Sequence, residues 1–292
     1  MLRRVQKFIR DHALLQPGVR VLVCMSGGAD SVALCDVLLR AGYECIIAHC
    51  NFHLRGDESD RDEQFVRQLA DNFGCRLFVV HFDTTAYASS HSISIEMAAR
   101  RLRYQWFASL AQQEQCSAIA VAHHQNDQAE TLLLNLKRGT GIRGLCGMRT
   151  ISDNPMGGIV PVIRPLLCTT RDYIEHYLRD IRHLDWVEDS TNTDTSIQRN
   201  AIRQQLRSYS KAEIEHMAAT AYQMQGYVDL IEGRDTPSAA RARLYEQLRE
   251  YHFPEVDKIF DALQRGEGGK IFTSPTHTAT IKHGKLIITP IV

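Results

Sequence analysis

No Cys-x-x-Cys pair occurs in the 292 residues, although eight cysteines are present. They stand singly, mostly within apolar stretches, as Cys24, Cys35, Cys45 and Cys116 do. That argues against a paired-thiol redox motif and fits the packed, reduced thiols of a cytoplasmic protein. Net charge is missing too, since 34 basic side chains balance 34 acidic ones. No overall basic field draws in nucleic acid, so any polyanion must be met by local patches. No apolar run approaches the ~20 residues of a bilayer crossing, and the start MLRRVQKFIRDHALL lacks a signal-peptide core. A membrane is therefore not an expected partner. Repeats and low-complexity tracts are absent as well.

What is present begins with VRVLVCMSGGADSVALCDVLL. Val19 to Met25 has the β-branched, glycine-bounded character of a buried strand. From Asp30 onward, Val32, Ala33, Leu34, Val37 and Leu38 recur at helical spacing. The segment between them is a tight strand-to-helix turn, with Asp30 or Ser31 expected near the N-cap. Such a turn presents free N–H groups and the positive end of a helix, and its glycines let an anion approach the main chain. It is not a Walker A loop, because no Gly-Lys-Ser/Thr closes it. A GxGxxG string does occur at 139–144, but it follows a helical pattern rather than a strand, so the dinucleotide fingerprint is rejected. A helix-stop loop and a loop lining a site both stay open for it.

Four further apolar segments follow, at 45–50, 76–82, 118–123 and 159–167, with helical patterns between the first four strands. This alternation predicts an α/β fold, a doubly wound parallel sheet whose ligands bind beyond the carboxyl ends of its strands. SGGADS, HCNFHLRGDE and AHHQNDQAE all fall at those ends. Near residue 205 the rhythm changes. We expect a nucleotide-binding catalytic domain over 1–205 and a smaller α+β domain over 206–292, with GRDTPSAA as a linker and a tail of short strands around a His-Gly turn.

His123 is expected to end the fourth strand, with Asn126 or Asp127 capping the next helix. Asp127 and Glu130 then lie three apart on one face in its first turn, able to meet one small cation. Two acids there are equally ordinary compensation of the helix dipole. Arg100 and Arg103 have the spacing of a solvated face as well as of a phosphate site. Cys50 and His53 have metal-like spacing, but two ligands do not make a zinc site. The polar stretch DWVEDSTNTDTSIQRNAIRQQL reads either as a loop leading to a helix or as a lid over a nucleotide.

SGGADS resembles the PP-loop of the ATP pyrophosphatase superfamily. With HCNFHLRGDESDRDE, AARRLRY, AHHQNDQAET, RGTGIRGLCGM, IRPLL and DSTNTDTSIQRNAIR in that order, the chain resembles the tRNA(Ile)-lysidine synthase family over roughly residues 20–205. Many members carry a further C-terminal domain after the segment resembling 241–292, and the sequence stops at TPIV before one, which fits either a short form or a cut chain; 206–292 is expected to be a smaller substrate (tRNA)-binding domain.

The resemblance implies ATP and Mg²⁺ as cofactors, and a tRNA(Ile) with CAU anticodon and free L-lysine as partners. Homo-oligomerisation is left open. It implies that Ser26, Gly27, Gly28, Ala29, Asp30 and Ser31 hold the pyrophosphate end of ATP and that Asp30 binds the metal. Arg100 and Arg199 would face the α-phosphate and His123 would stabilise charge there, while Asp127 and Glu130 would bind the lysine amine, Asp127 accepting its proton. Arg203, Arg207, Lys211, Arg241 and Arg243 are candidates for positioning tRNA. A PP-loop tRNA thiolation enzyme and a non-catalytic ATP-binding regulator are the competing readings. The first needs a persulfide cysteine or an iron–sulfur cluster, and the second leaves Asp127 and Glu130 without a task.

Overall fold

The structure is a computed structural model that describes residues 1–188 and 197–291, with side chains at all of these except 197–200. By contact the chain divides into a unit of 1–139 with 147–219 and a second of 140–146 with 220–292. The first unit runs α1 (Leu2–Asp11), β1 (Arg20–Cys24), α2 (Ala29–Arg40), β2 (Glu44–Asn51), α3 (Asp57–Phe73) and β3 (Arg76–His81). It continues through α4 (Thr84–His91), α5 (Ile95–Gln113), β4 (Ala118–Ala120) and α6 (Gln125–Arg138). After α7 (Ile142–Leu145), which belongs to the second unit, come β5 (Ile151–Ser152), β6 (Val162–Ile163), α8 (Arg171–His176), α9 (Ile197–Leu206) and α10 (Lys211–Ile231).

The six strands are ordered β3-β2-β1-β4-β6-β5. Val21 and Val23 point to one face of the sheet and Leu22 to the other, and all three are fully buried. That is the signature of a central strand covered by helices on both sides. On the first face Leu34, Leu38, Val66 and Tyr177 pack; on the second, Tyr104, Phe107 and Leu110 of α5. Five strands are parallel, as the alternation of strand and helix requires, whereas β5 runs antiparallel to β6. The strand expected over 159–167 is cut to Val162–Ile163, because Pro161 precedes it and Pro165 opens a 3₁₀ turn over Pro165–Cys168. The α8 helix runs on into a π-helical turn over Tyr177–Arg182.

The second unit contains α7, the last part of α10, α11 (Pro237–Leu248), α12 (Val256–Gln264) and an antiparallel sheet of β7 (Ile271–Thr273), β8 (His277–Lys282) and β9 (Lys285–Pro290). Leu248, Ile259, Phe260 and Ala279 form its core. The expected linker is in part helix, with Thr236 accepting from the Ala239 N–H to start α11. His283 and Gly284, at φ 50° and 73°, make the hairpin turn. The 140–146 loop belongs here: the Gln225 amide donates to the Cys146 carbonyl at 3.0 Å, and Arg143 pairs with Glu232 at 2.9 Å. Among the described residues no helix is long and apolar enough to cross a membrane.

Candidate active site

The strand-to-helix turn is fixed by its own backbone and hydroxyls. The Met25 N–H continues the β1 ladder onto the Ala48 carbonyl, and Gly27 then turns the chain at φ 92°, a conformation that favours glycine. The Gly27 carbonyl accepts from the Val187 N–H at 3.0 Å. Ser31, buried, donates its hydroxyl to the Gly28 carbonyl at 2.8 Å and receives the Ser26 N–H at 3.2 Å. Gly28, not Asp30 or Ser31, is the N-cap, because Ala29 already has helical geometry. Asp30 therefore sits in the first turn of α2, where a carboxylate is favoured.

A cavity of about 300 Å³ opens beyond the ends of β1, β2 and β4, lined at its polar end by Ser26, Asp30, Ser31, Arg100, His123 and Asp127. Its other walls include Ala48, Cys50, Phe52 and Phe107, suited to a planar apolar group. Arg100 lies over the Tyr104 ring and Arg103 over Phe52, at 5.0 and 5.1 Å from the ring centres. Stacking gives both guanidinium groups a defined approach to the cavity.

At α6 the details differ from expectation. β4 stops at Ala120, so His123 lies three residues past the strand. The N-cap is His124, whose N–H donates to Asp127 Oδ2 at 2.9 Å. Asp127 is the third residue of the helix, which places Glu130 in the second turn. Glu130 is buried and accepts from Arg203 Nε at 2.9 Å. Asn126 instead receives the Arg171 N–H at 3.0 Å, joining the starts of α6 and α8.

The charges are arranged in a row. His124 Nε2 stands 3.6 Å from Asp30 Oδ2 and 3.5 Å from Asp127 Oδ2. Burial alone would lower its pKa, but Asp127 and then Asp30 carry it above the ordinary value. Burial would likewise raise Asp127, and the charge of His124, together with the His124 N–H that it accepts, holds it low. His123 is pushed down to about 4, chiefly by burial, so it is neutral at pH 7.

A second cavity, of about 570 Å³, lies against the same two carboxylates, Asp30 and Asp127, and is also lined by Asn126, Glu130, Arg171, Arg203 and Arg207. Arg171 Nη1 grips Asp30 Oδ2 at 2.6 Å. Asp30 Oδ1 is buried without a hydrogen-bond partner. Among the described residues no three His, Cys, Asp or Glu side chains group as a metal site. One available carboxylate oxygen beside an open cavity fits Mg²⁺, which takes few protein ligands and completes its shell with phosphate oxygens and water.

Of the residues expected at the site, Asp30, Arg100, His123 and Asp127 line the first cavity, while Glu130 lines only the second, with Asp30 and Asp127. The Arg199 side chain lies outside the described residues, as does 189–196 within the stretch read as a lid. Arg203, a candidate for positioning tRNA, donates its Nε to Glu130. Arg241 is paired with Asp257 and stacked on Phe260 inside the second unit. His124 and Arg171 were missed. For Arg171 a signal was available: a cation at the first position of a helix opposes the dipole and asks for a specific partner.

Residues 1–210 match the family described as PP-loop domain, and residues 231–291 that described as TilS substrate binding domain. The tRNA(Ile)-lysidine synthase of Parabacteroides distasonis is 41% identical over 95% of this chain and 67% of its own length. That of Porphyromonas gingivalis is 39% identical over the whole chain and 68% of its own length. The Bacteroides thetaiotaomicron synthase is 54% identical over 69% of this chain, a match that spans 45% of that relative. Among solved structures, the U34-tRNA thiolase NcsA from Methanococcus maripaludis superposes with a TM-score of 0.59 at 18% identity, covering 80% of this chain and 79% of its own, a likeness of fold alone. Matched from end to end by relatives of one name, and by both of the domains described above, the chain belongs to the tRNA(Ile)-lysidine synthase family.

Proposed function

We propose that the chain is an ATP-dependent carbon–nitrogen ligase that converts the wobble cytidine of a CAU-anticodon tRNA(Ile) to lysidine. ATP adenylates the C2 carbonyl oxygen and expels pyrophosphate. The ε-amine of free lysine then attacks C2, the C2–O bond breaks, and AMP leaves. Cytidine C2 is a poor electrophile until its oxygen belongs to a phosphate ester, which is why the two steps share one site.

The observation that carries this reading is the common wall: Asp30 and Asp127 line two cavities at once. One cavity has the phosphate turn, two stacked arginines and an apolar end; the other has carboxylates and arginines for a zwitterion. The Gly27 N–H and the Ser26 hydroxyl bind pyrophosphate, the Gly28 N–H steadying that hydroxyl by donating to it at 3.3 Å. Arg100 meets charge at the α-phosphate, and His123 donates a hydrogen bond there as a neutral imidazole. Asp30 would hold Mg²⁺, which supplies charge neutralisation to the phosphates when bound. Asp127 and Glu130 take the lysine ammonium, and Asp127 receives its proton as C2 is attacked.

Incubating the full chain with ATP, Mg²⁺, radiolabelled lysine and bulk tRNA tests the reading. Label should become acid-precipitable, with AMP and pyrophosphate as products. Release of ADP and orthophosphate, or no incorporation, would sink it. Sulfur transfer is not favoured: Cys24 and Cys50 are the thiols in the first cavity, and burial pushes the first well up and the second to about 12, far from a reactive thiolate.

A further inference from the structure

The Asp30 carboxylate is divided between two environments. Oδ2 is neutralised by the protein, with Arg171 Nη1 at 2.6 Å and His124 Nε2 at 3.6 Å. Oδ1 is buried and has no hydrogen-bond partner. Asp30 lines both cavities, whereas Arg171 lines only the second. Arg171 reaches Asp30 from the first residue of α8, an unfavourable place for a cation, and two further contacts hold it there. Its Nε donates to Glu175 at 2.8 Å and its own N–H to Asn126 Oδ1 at 3.0 Å. The guanidinium therefore keeps an anionic partner even when Asp30 is taken away.

We propose that Arg171 is a resident counter-cation of Asp30, neutralising the phosphate-turn carboxylate in the nucleotide-free protein and competing for it with the divalent metal that enters with nucleotide. This rests on the reading that Asp30 holds the metal. A half-buried carboxylate with one fully buried, unpartnered oxygen is costly without a cation beside it. Because no group of three ligands stands ready among the described residues, a metal at Asp30 takes few protein ligands and draws the rest of its shell from nucleotide oxygens and water. A competing charge within contact distance therefore sets how tightly metal is held. Arg171 acts as a positioning residue: it touches neither phosphate nor base, only the side chain that does.

The test is a Mn²⁺ titration of the full chain by electron paramagnetic resonance, with a non-hydrolysable ATP analogue present and ionic strength fixed. Arg171→Met should bind Mn²⁺ roughly tenfold more tightly than the parent, as expected for removing a unit charge beside the ligand oxygen. Arg171→Gln, which keeps a hydrogen bond to Asp30, should shift in the same direction and covers failure of the first variant to fold. Arg171→Lys, which keeps the charge, should stay within about twofold of the parent. Asp30→Asn should lose most of the affinity. Neutral variants that bind Mn²⁺ no more tightly, while Asp30→Asn still loses affinity, would overturn the role of Arg171 alone. An Asp30→Asn protein that binds Mn²⁺ as the parent does would remove the metal reading and this proposal together.

Discussion

At the scale of single residues, Glu130 is the most informative side chain, because it already carries a cation. It is buried against Arg203, so the lysine ammonium proposed to bind there would share or exchange that partner. Glu130→Gln should raise the KM for lysine about tenfold, the order of one charge-assisted bond, and leave tRNA adenylation measurable. Arg203→Ala should disturb the same step, and the double variant should lose less than the two effects added, because the residues form one pair. Adenylated tRNA trapped without lysine and then chased with lysine separates the steps. His123 makes a different prediction. Its pKa of about 4 in the folded chain lies below the ordinary ~6.5. The unfolded chain thus takes up the proton first, so this contribution to stability is full above pH 6.5 and is lost as pH falls toward 4. His123→Asn should melt with a shallower dependence on pH over that window. These residues were only partly legible in the sequence. Asp30 and Asp127 stand in the first turns of their helices and His123 in the loop after β4, where local rules apply, but Arg171 meets Asp30 across 141 positions, and no local periodicity reports such a pair.

Among the elements, α2 was legible for the same local reasons: its apolar run is so dense that residues 31–38 are all buried. What local pattern could not give is how its far end is fastened. Asp36, buried in that run, accepts from the Tyr177 hydroxyl and from both Nε and Nη2 of Arg182, while Arg40 donates to the same hydroxyl at 3.0 Å. The π-helical turn that carries Tyr177 and Arg182 is thereby fixed, and the chain leaving it places the Val187 N–H on Gly27. A clamp at one end of α2 thus helps hold the phosphate turn at the other. Asp36→Asn should cost about 3 kcal/mol in urea unfolding, the low end for stripping one partner from a buried ion pair. Nucleotide affinity should fall with it, and a variant as stable as the parent would show the clamp to be incidental. The last parallel strand was misread for a physical reason too: the run at 159–167 is apolar enough for a strand, but its two internal prolines leave room for only Val162 and Ile163.

For the whole molecule, the division by contact falls within α10, between residues 219 and 220. A chain cut near 210 would strip Ile214 and Met217 from Ile202 and Leu206, against which they pack. A chain ending at Ile231 keeps them and is the better test of how labour is divided. It should bind the ATP analogue like the full chain and bind tRNA at least tenfold more weakly, by filter binding at fixed salt. Undiminished tRNA binding would show that α11, α12 and the antiparallel sheet are dispensable for it. The carboxylate wall between the two cavities has a consequence of another kind. Any occupant of the first cavity that draws charge from Asp30 or Asp127 changes what the second cavity offers, so the two binding equilibria are linked, and linkage is reciprocal. If nucleotide with metal weakens the hold on free lysine by some factor, lysine must weaken the hold on nucleotide by that same factor. Calorimetry of each ligand with and without the other would measure that factor twice, from opposite directions.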